Sequence, residues 1–282
     1  MNHVVWVIFD SARHDAYLAA RTPVLDRFSA PQRRFSYASW TAPSHYTFLM
    51  GVTPHTSLPN VFASVQYRED LARWRERLGL ADGESLEFER FLPGLSLPAA
   101  LKSLGYRCEA FVSLPVLNPK TLLSAHFDHY ELMPAHNDFG EIVSRLRFDD
   151  TPRFYFLNVG ETHYPYLVPG ETTADLPRIS GLHGAYRELD EFLRDPATFA
   201  DLQEVGRVFT PERLRGLWEK QVACIEYLDG IFGRLLERSP ANTWFIVTSD
   251  HGELFGEDGY FGHGPILHEK VFEVFLLEGL HP

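Results

Sequence analysis

Thr243-Trp-Phe-Ile-Val-Thr-Ser249-Asp250-His251-Gly252-Glu253, running on to Tyr260-Phe-Gly-His263-Gly264, is the stretch on which the fold turns. A short apolar, β-branched run stops abruptly at Ser-Asp-His-Gly, so it reads as a buried strand, the last of the sheet, with a carboxylate and an imidazole at its carboxyl end. Open α/β sheets bind ligands at that end of their strands. Asp and His ligate divalent metals, and Gly252 lets the backbone turn beside them. With His263 returning from a glycine-rich loop, the stretch reads as half of a metal site. Alone, it reads equally as a turn capped by Asp250 with histidines at the surface.

Three more strand ends carry polar groups. Val4-Val-Trp-Val-Ile-Phe9 is a nearly unbroken apolar run, as a parallel strand buried on both faces requires, and it ends in Asp10-Ser11-Ala12-Arg13. Phe35-Ser-Tyr-Ala-Ser-Trp40 reads as a strand, followed by Thr41-Ala42-Pro43-Ser44-His45 and a helix from Pro43 to Met50 closed by Gly51. A hydroxyl at that junction faces free backbone N–H groups and the positive end of the helix dipole, a place suited to an anion; Thr41 alone reads first as a plain N-cap. Arg153-Phe-Tyr-Phe-Leu-Asn-Val159 is a strand followed by Gly160-Glu161-Thr162-His163-Tyr-Pro.

Between these, Thr22 reads as the N-cap and Pro23 as the first residue of a short helix to Phe28, Leu97 to Leu104 is a helix capped by Gly105, Arg107 to Val112 is a strand, and a helix lies near 137–146. From Pro211 to Arg238 one long amphipathic helix carries apolar residues at helical spacing and is assigned to packing. The βαβ rhythm predicts a mostly parallel sheet between helical layers, a three-layer α/β sandwich. Residues 1–282 read as one catalytic domain with insertions near 60–95, including a charged helix from Tyr67 to Leu80, and near 167–210, where they would cover the site.

A net charge of -12 argues against nucleic acid or an anionic membrane as the main partner, since both need clustered Lys and Arg. Cys108 and Cys224 read as buried free thiols. The chain enters a strand directly after Met1-Asn-His, and no run approaches the ~20 apolar residues of a membrane helix, so a soluble cytoplasmic protein without a membrane anchor is expected.

The ordered set of Asp10, Thr22-Pro-Val-Leu-Asp26, Thr41-Ala-Pro-Ser44, Gly51 to His55, Leu104-Gly-Tyr106, His163-Tyr-Pro, Ser249-Asp-His-Gly-Glu253 and His263-Gly264 resembles the alkaline phosphatase superfamily. The resemblance is to the branch that holds sulfatases and phosphoethanolamine- and lipoteichoic-acid-type phosphotransferases. It implies an alkaline-phosphatase-like fold, here without a large C-terminal subdomain, and a nucleophile at Thr41. Sulfatases carry Cys or Ser there, oxidised to formylglycine, in a Cys/Ser-x-Pro-x-Arg signature. Thr41 cannot yield that aldehyde, and His45 replaces the arginine. Both departures point to the phosphotransferase branch, with a phosphothreonine intermediate passed to water or to a soluble acceptor.

The same resemblance implies metal ligation by Asp10, Thr41, Asp250 and His251, with Ser11 replacing the second aspartate of the sulfatases. His163 and His263 match the histidines that hold the substrate phosphate, and one of them protonates the leaving group. Glu161-Thr-His163 does not reproduce the Asp-x-x-x-His cluster of two-metal relatives, so one divalent ion is expected, with a second only if substrate helps bind it. Zn²⁺ or Mn²⁺ is favoured over Mg²⁺ or Ca²⁺. Arg13, His14 and His45 are candidate substrate contacts, and Glu253 supports the Asp-His pair from behind. The expected partner is a small phosphoester. Two other readings stay open: a sulfuric ester hydrolase without formylglycine, and a silent homologue that only binds metal or ligand.

Overall fold

A computed structural model describes residues 1–51, 96–172, 186–187, 210–264 and 266–282. The helix expected from Tyr67 to Leu80, and the insertions apart from 167–172, 186–187 and 210, lie outside the described residues.

Seven strands form the main sheet: β1 (His3–Phe9), β2 (Gln32–Phe35), β3 (Arg107–Val112), β4 (His129–Leu132), β5 (Arg153–Val159), β7 (Thr243–Ser249) and β10 (Glu273–Leu280). Their order across the sheet is β2-β10-β7-β1-β5-β3-β4. β1 pairs in parallel with β5 and β7, and β3 with β4 and β5, while β10 runs antiparallel to both β7 and β2. A second sheet joins β6 (Tyr186–Arg187), β9 (Tyr260–Gly262) and β8 (Leu254–Phe255).

Helices cover both faces of the main sheet. On one face Val5, Val7 and Phe9 of β1 pack with Tyr155, Leu157 and Phe245 against α1 (His14–Ala19), α2 (Pro23–Phe28), α5 (Phe139–Arg145) and the long α6 (Pro211–Arg238). On the other face Ile8, Ala110, Val112 and Phe156 pack against α3 (Thr41–Met50), with Leu97 and Leu101 of α4 (Leu97–Ser103) alongside. Alternate residues of one strand thus serve different cores, which is why β1 and β5 read as continuous apolar runs. The expected mostly parallel α/β sheet between helical layers is what the chain adopts.

Four local expectations need correction. β7 is not the last strand: β10 follows α7 (Glu269–Phe272) and reverses direction to pair beside it. The strand placed at Phe35–Trp40 lies at Gln32–Phe35, an edge strand whose Arg33, Arg34 and Phe35 are exposed and which therefore shows no apolar face in its sequence. The helix expected from Pro43 begins two residues earlier, at Thr41. Thr22 precedes α2 but makes no capping bond; Asp229 of α6 instead accepts from the Val24 and Leu25 N–H groups at 3.1 and 2.8 Å.

The sheet register sets the site. Phe9, Val159 and Ser249 stand side by side at the carboxyl ends of β1, β5 and β7. The residues that follow each of them therefore emerge at one level, at one end of the sheet.

Candidate metal centre and active site

Asp10, Asp250 and His251 are fully buried, and one ligating atom of each lies within 4.8 Å of the others. His251 Nδ1–H donates to the Gly252 carbonyl at 2.8 Å, which leaves Nε2 as the lone-pair nitrogen. That Nε2 stands 3.4 Å from Asp250 Oδ2 and 3.9 Å from Asp10 Oδ1. Burial, and then the neighbouring His263, hold the His251 pKa well below its usual value, so the imidazole is neutral, as a metal ligand must be.

The two oxygens of the Asp250 carboxylate differ in their surroundings. Oδ1 accepts from the backbone N–H groups of Ser11 at 3.0 Å and His251 at 2.9 Å. Ser11 adopts a φ of 62°, the left-handed conformation, at the turn where its N–H meets Asp250. Oδ2 is buried and finds no donor among the described residues. Burial, and then the facing Asp10 carboxylate, raise the Asp250 pKa well above the carboxylate range. Two buried carboxylates, which together can carry two negative charges, stand beside a neutral imidazole with one oxygen bare, and this donor set fits a divalent cation.

Thr41 is the first residue of α3, and its Oγ1 does not cap the helix. It lies 3.3 Å from Asp10 Oδ1 and 3.2 Å from His251 Nε2, so the three expected ligating residues and the hydroxyl converge. The Ser44 hydroxyl, one turn on, donates to the Asp250 carbonyl at 2.9 Å, tying this helix to the β7 turn.

His163 and His263 stand together, with ring centroids 5.3 Å apart, and the His263 ring is 4.4 Å from that of His251. His163 Nδ1–H donates to the Tyr164 carbonyl at 2.9 Å and His263 Nδ1–H to Glu253 Oε1 at 2.8 Å, so Nε2 is the remaining nitrogen of each ring. The other Glu253 oxygen accepts from the Tyr166 hydroxyl at 2.5 Å, which fixes the carboxylate behind His263. Burial lowers the His263 pKa, but the Glu253 and Asp10 carboxylates together outweigh it and the net shift is upward.

The remaining expected substrate contacts are placed differently. Arg13 donates to Asp15 at 2.8 and 2.5 Å and to Glu257 at 2.5 Å, and lies over the Phe255 ring, so its donors serve the protein itself. His45 is fully buried: Nδ1–H donates to the Thr41 carbonyl at 2.8 Å, Nε2 faces the Asn158 amide at 3.2 Å, and burial pulls its pKa down to about 4. It braces Thr41 from behind. His14, grouped with them from its position, pairs with Glu273 at 3.2 Å.

Two residues at the site are not evident from sequence. Asn158 donates to Asp10 Oδ2 at 2.8 Å; the available signal was an amide inside an apolar strand. Gln221 of α6 donates to the carbonyls of Ser11 and Thr162 at 3.0 Å each and accepts from the Arg13 N–H at 3.2 Å. Its spacing, four residues from both Leu217 and Ile225, put a polar side chain on the apolar stripe. Gly252 is needed for a reason other than a turn: a Cβ there would sit 2.0 Å from the Lys270 carbonyl oxygen.

No family model matches the chain. A curated relative, the uncharacterized sulfatase YidJ of Escherichia coli K12, is 26% identical over 139 residues, which takes in 45% of this chain but only 26% of the relative. The phosphonate monoester hydrolase of Agrobacterium radiobacter superposes with a TM-score of 0.61 at 17% identity, covering 99% of this chain and 68% of that one. The C-terminal periplasmic domain of EptC from Escherichia coli, in complex with Zn, gives 0.58 at 13% identity, covering 99% and 73%. The chain therefore shares its α/β fold with these solved structures, and also with a protein in the alkaline phosphatase superfamily from Vibrio parahaemolyticus, which gives a TM-score of 0.52 at 14% identity.

Proposed function

We propose that this chain is a metal-dependent enzyme acting on ester bonds, a phosphoester hydrolase or phosphotransferase that works through Thr41. The observation that carries the reading is the position of Thr41 Oγ1, within 3.3 Å of both Asp10 Oδ1 and His251 Nε2, the latter itself 3.4 Å from the unpaired Asp250 Oδ2. Asp10, Asp250 and His251, with Thr41, would hold one divalent ion; the mixed carboxylate and imidazole donor set suits Mn²⁺, Mg²⁺ or Zn²⁺, and the family resemblance favours Zn²⁺ or Mn²⁺. Such an ion supplies positive charge that favours the deprotonated hydroxyl and offsets charge on the transferred group.

The residues divide the remaining work. Thr41 Oγ, its proton given up to solvent, attacks phosphorus as the bond to the leaving alcohol breaks; water or an acceptor alcohol then attacks the phosphothreonine and takes its phosphoryl group, the Oγ–P bond breaks, and Thr41 regains a proton. His163 and His263 bind the phosphoryl oxygens through Nε2, and one of them gives a proton to the departing oxygen. Glu253, held by Tyr166, keeps the His263 ring in place, while His45, Asn158 and Gln221 hold Thr41, Asp10 and the loops.

A second reading, a sulfuric ester hydrolase without formylglycine, is favoured by one observation, the likeness to a protein named as a sulfatase. The two are separated by hydrolysis of phosphate monoesters, phosphodiesters, phosphonates and sulfate esters, with Zn²⁺ or Mn²⁺ added, by wild type beside Thr41→Ala. Phosphoester turnover that falls by roughly 10³-fold or more in the variant supports the first reading. Turnover confined to sulfate esters supports the second, and equal activity of the two proteins removes Thr41 from the chemistry.

A further inference from the structure

Asn158 is the penultimate residue of β5, a strand buried along its whole length, and it stands in register with Ile8 of β1. A primary amide at that depth is costly unless its hydrogen-bonding groups are matched. Its Oδ1 accepts from the backbone N–H groups of Ser113 at 3.2 Å and Leu114 at 3.3 Å. Two N–H donors on one atom identify it as the oxygen, so the orientation of the amide is fixed and the NH₂ group faces the other way.

That NH₂ group meets two acceptors. Asp10 Oδ2 lies 2.8 Å from Nδ2 and His45 Nε2 lies 3.2 Å from it. His45 Nε2 carries a lone pair, because Nδ1–H of the same ring donates to the Thr41 carbonyl. A carboxylate oxygen and an imidazole nitrogen thus converge on one point, as metal ligands do, and an amide nitrogen occupies that point. An amide nitrogen bears two hydrogens and no available lone pair, so it satisfies both atoms as a donor and cannot ligate.

We infer that Asn158 closes a second cation position beside the proposed metal centre, leaves Asp10 only Oδ1 for the first ion, and so keeps the centre mononuclear. The inference rests on the reading of Asp10, Asp250 and His251 as holders of one ion, and it names the side chain that sets their number. It also explains why His45 is buried at this point, since the nitrogen that would complete a second site is spent on the amide. Asn158 is a positioning residue here, acting through Asp10 and His45.

Counting bound ions tests this directly. Calorimetric titration and metal analysis after gel filtration are run on the full chain with Zn²⁺, and electron paramagnetic resonance with Mn²⁺. Wild type takes up one ion per chain, and its Mn²⁺ spectrum is that of an isolated ion. Asn158→Asp keeps an oxygen facing the Ser113 and Leu114 N–H groups and places a second oxygen between Asp10 Oδ2 and His45 Nε2. It takes up two ions, with the spectrum of a spin-coupled pair, and Asn158→Asp with His45→Ala returns to one. Asn158→Ala, which removes the amide without adding charge, gains a second ion bound at least tenfold more weakly than the first. Two ions in wild type, or one ion in both Asn158→Asp and Asn158→Ala, overturn the inference while the one-ion site stands. No uptake by wild type overturns the metal reading itself.

Discussion

Asp250 is a fully buried carboxyl group whose Oδ2 meets no donor among the described residues and which faces another carboxylate, Asp10, so that its ionised form is disfavoured without a cation. A buried, unpaired polar atom costs about 1–3 kcal/mol, and a charged one more. On the proposed reading the side chain serves a bound cation and works against the metal-free fold. Asp250→Asn should melt no lower than wild type without metal, because it replaces a buried carboxyl that burial and Asp10 hold against ionisation with a neutral group of the same shape. With Zn²⁺ at about 100 times the wild-type Kd, wild type gains about 2.7 kcal/mol and Asn gains almost none. Thermal melts with and without metal check this; an equal metal-dependent shift in both proteins would remove Asp250 from the ligand set. That Asp10, Asp250 and His251 share one end of the sheet was legible because Asp10 follows one strand and the Asp250-His251 pair another. The amide of Asn158 was not, because inside a strand its partners come from three distant segments.

At the level of elements, the site is the product of register: Phe9, Val159 and Ser249 end their strands together. The loops beyond Phe9 and Val159 are then tied to α6 by one side chain, Gln221, through three hydrogen bonds. Gln221→Leu keeps the bulk but strands the Arg13 N–H and the Ser11 and Thr162 carbonyls. It should cost roughly 1–3 kcal/mol in urea denaturation and lower kcat, since the Asp10 and His163 loops lose their common brace. A variant with unchanged kcat and stability would show that the loops hold themselves. Hydrophobic period located α6 to the residue, Pro211 to Arg238, and for the same reason absorbed Gln221 into the apolar stripe. Period also failed for β2, whose exposed arginines leave it no face to read, and for β10, whose direction depends on a partner strand rather than on its own sequence.

Across the whole molecule, the sheet divides two cores, and the cysteines fall on opposite sides of it, Cys108 in the core beneath α3 and Cys224 on α6. Both are free and buried; burial pushes the Cys108 thiol up to about 12 and raises that of Cys224 as well. A thiol-reactive chromophore should find no fast-reacting cysteine in the native chain and two after denaturation. Rapid reaction of either in the native state would mean that its core opens readily. The parallel architecture was legible in the strand and helix rhythm, since long apolar runs and helical spacing are properties of contiguous residues. The side chains that support the site were less so, because Tyr166 behind Glu253 and His45 behind Thr41 are brought there by the packing of separate elements.

Whether Thr41 carries the transferred group is decided most directly by acid-quenching the enzyme during turnover of its best phosphoester and mapping phosphate by mass spectrometry. Phosphate is expected on Thr41 during turnover, absent from Thr41→Ala and from enzyme never exposed to substrate. Phosphoester turnover with no phosphothreonine in wild type, together with undiminished activity in Thr41→Ala, would contradict a threonine nucleophile.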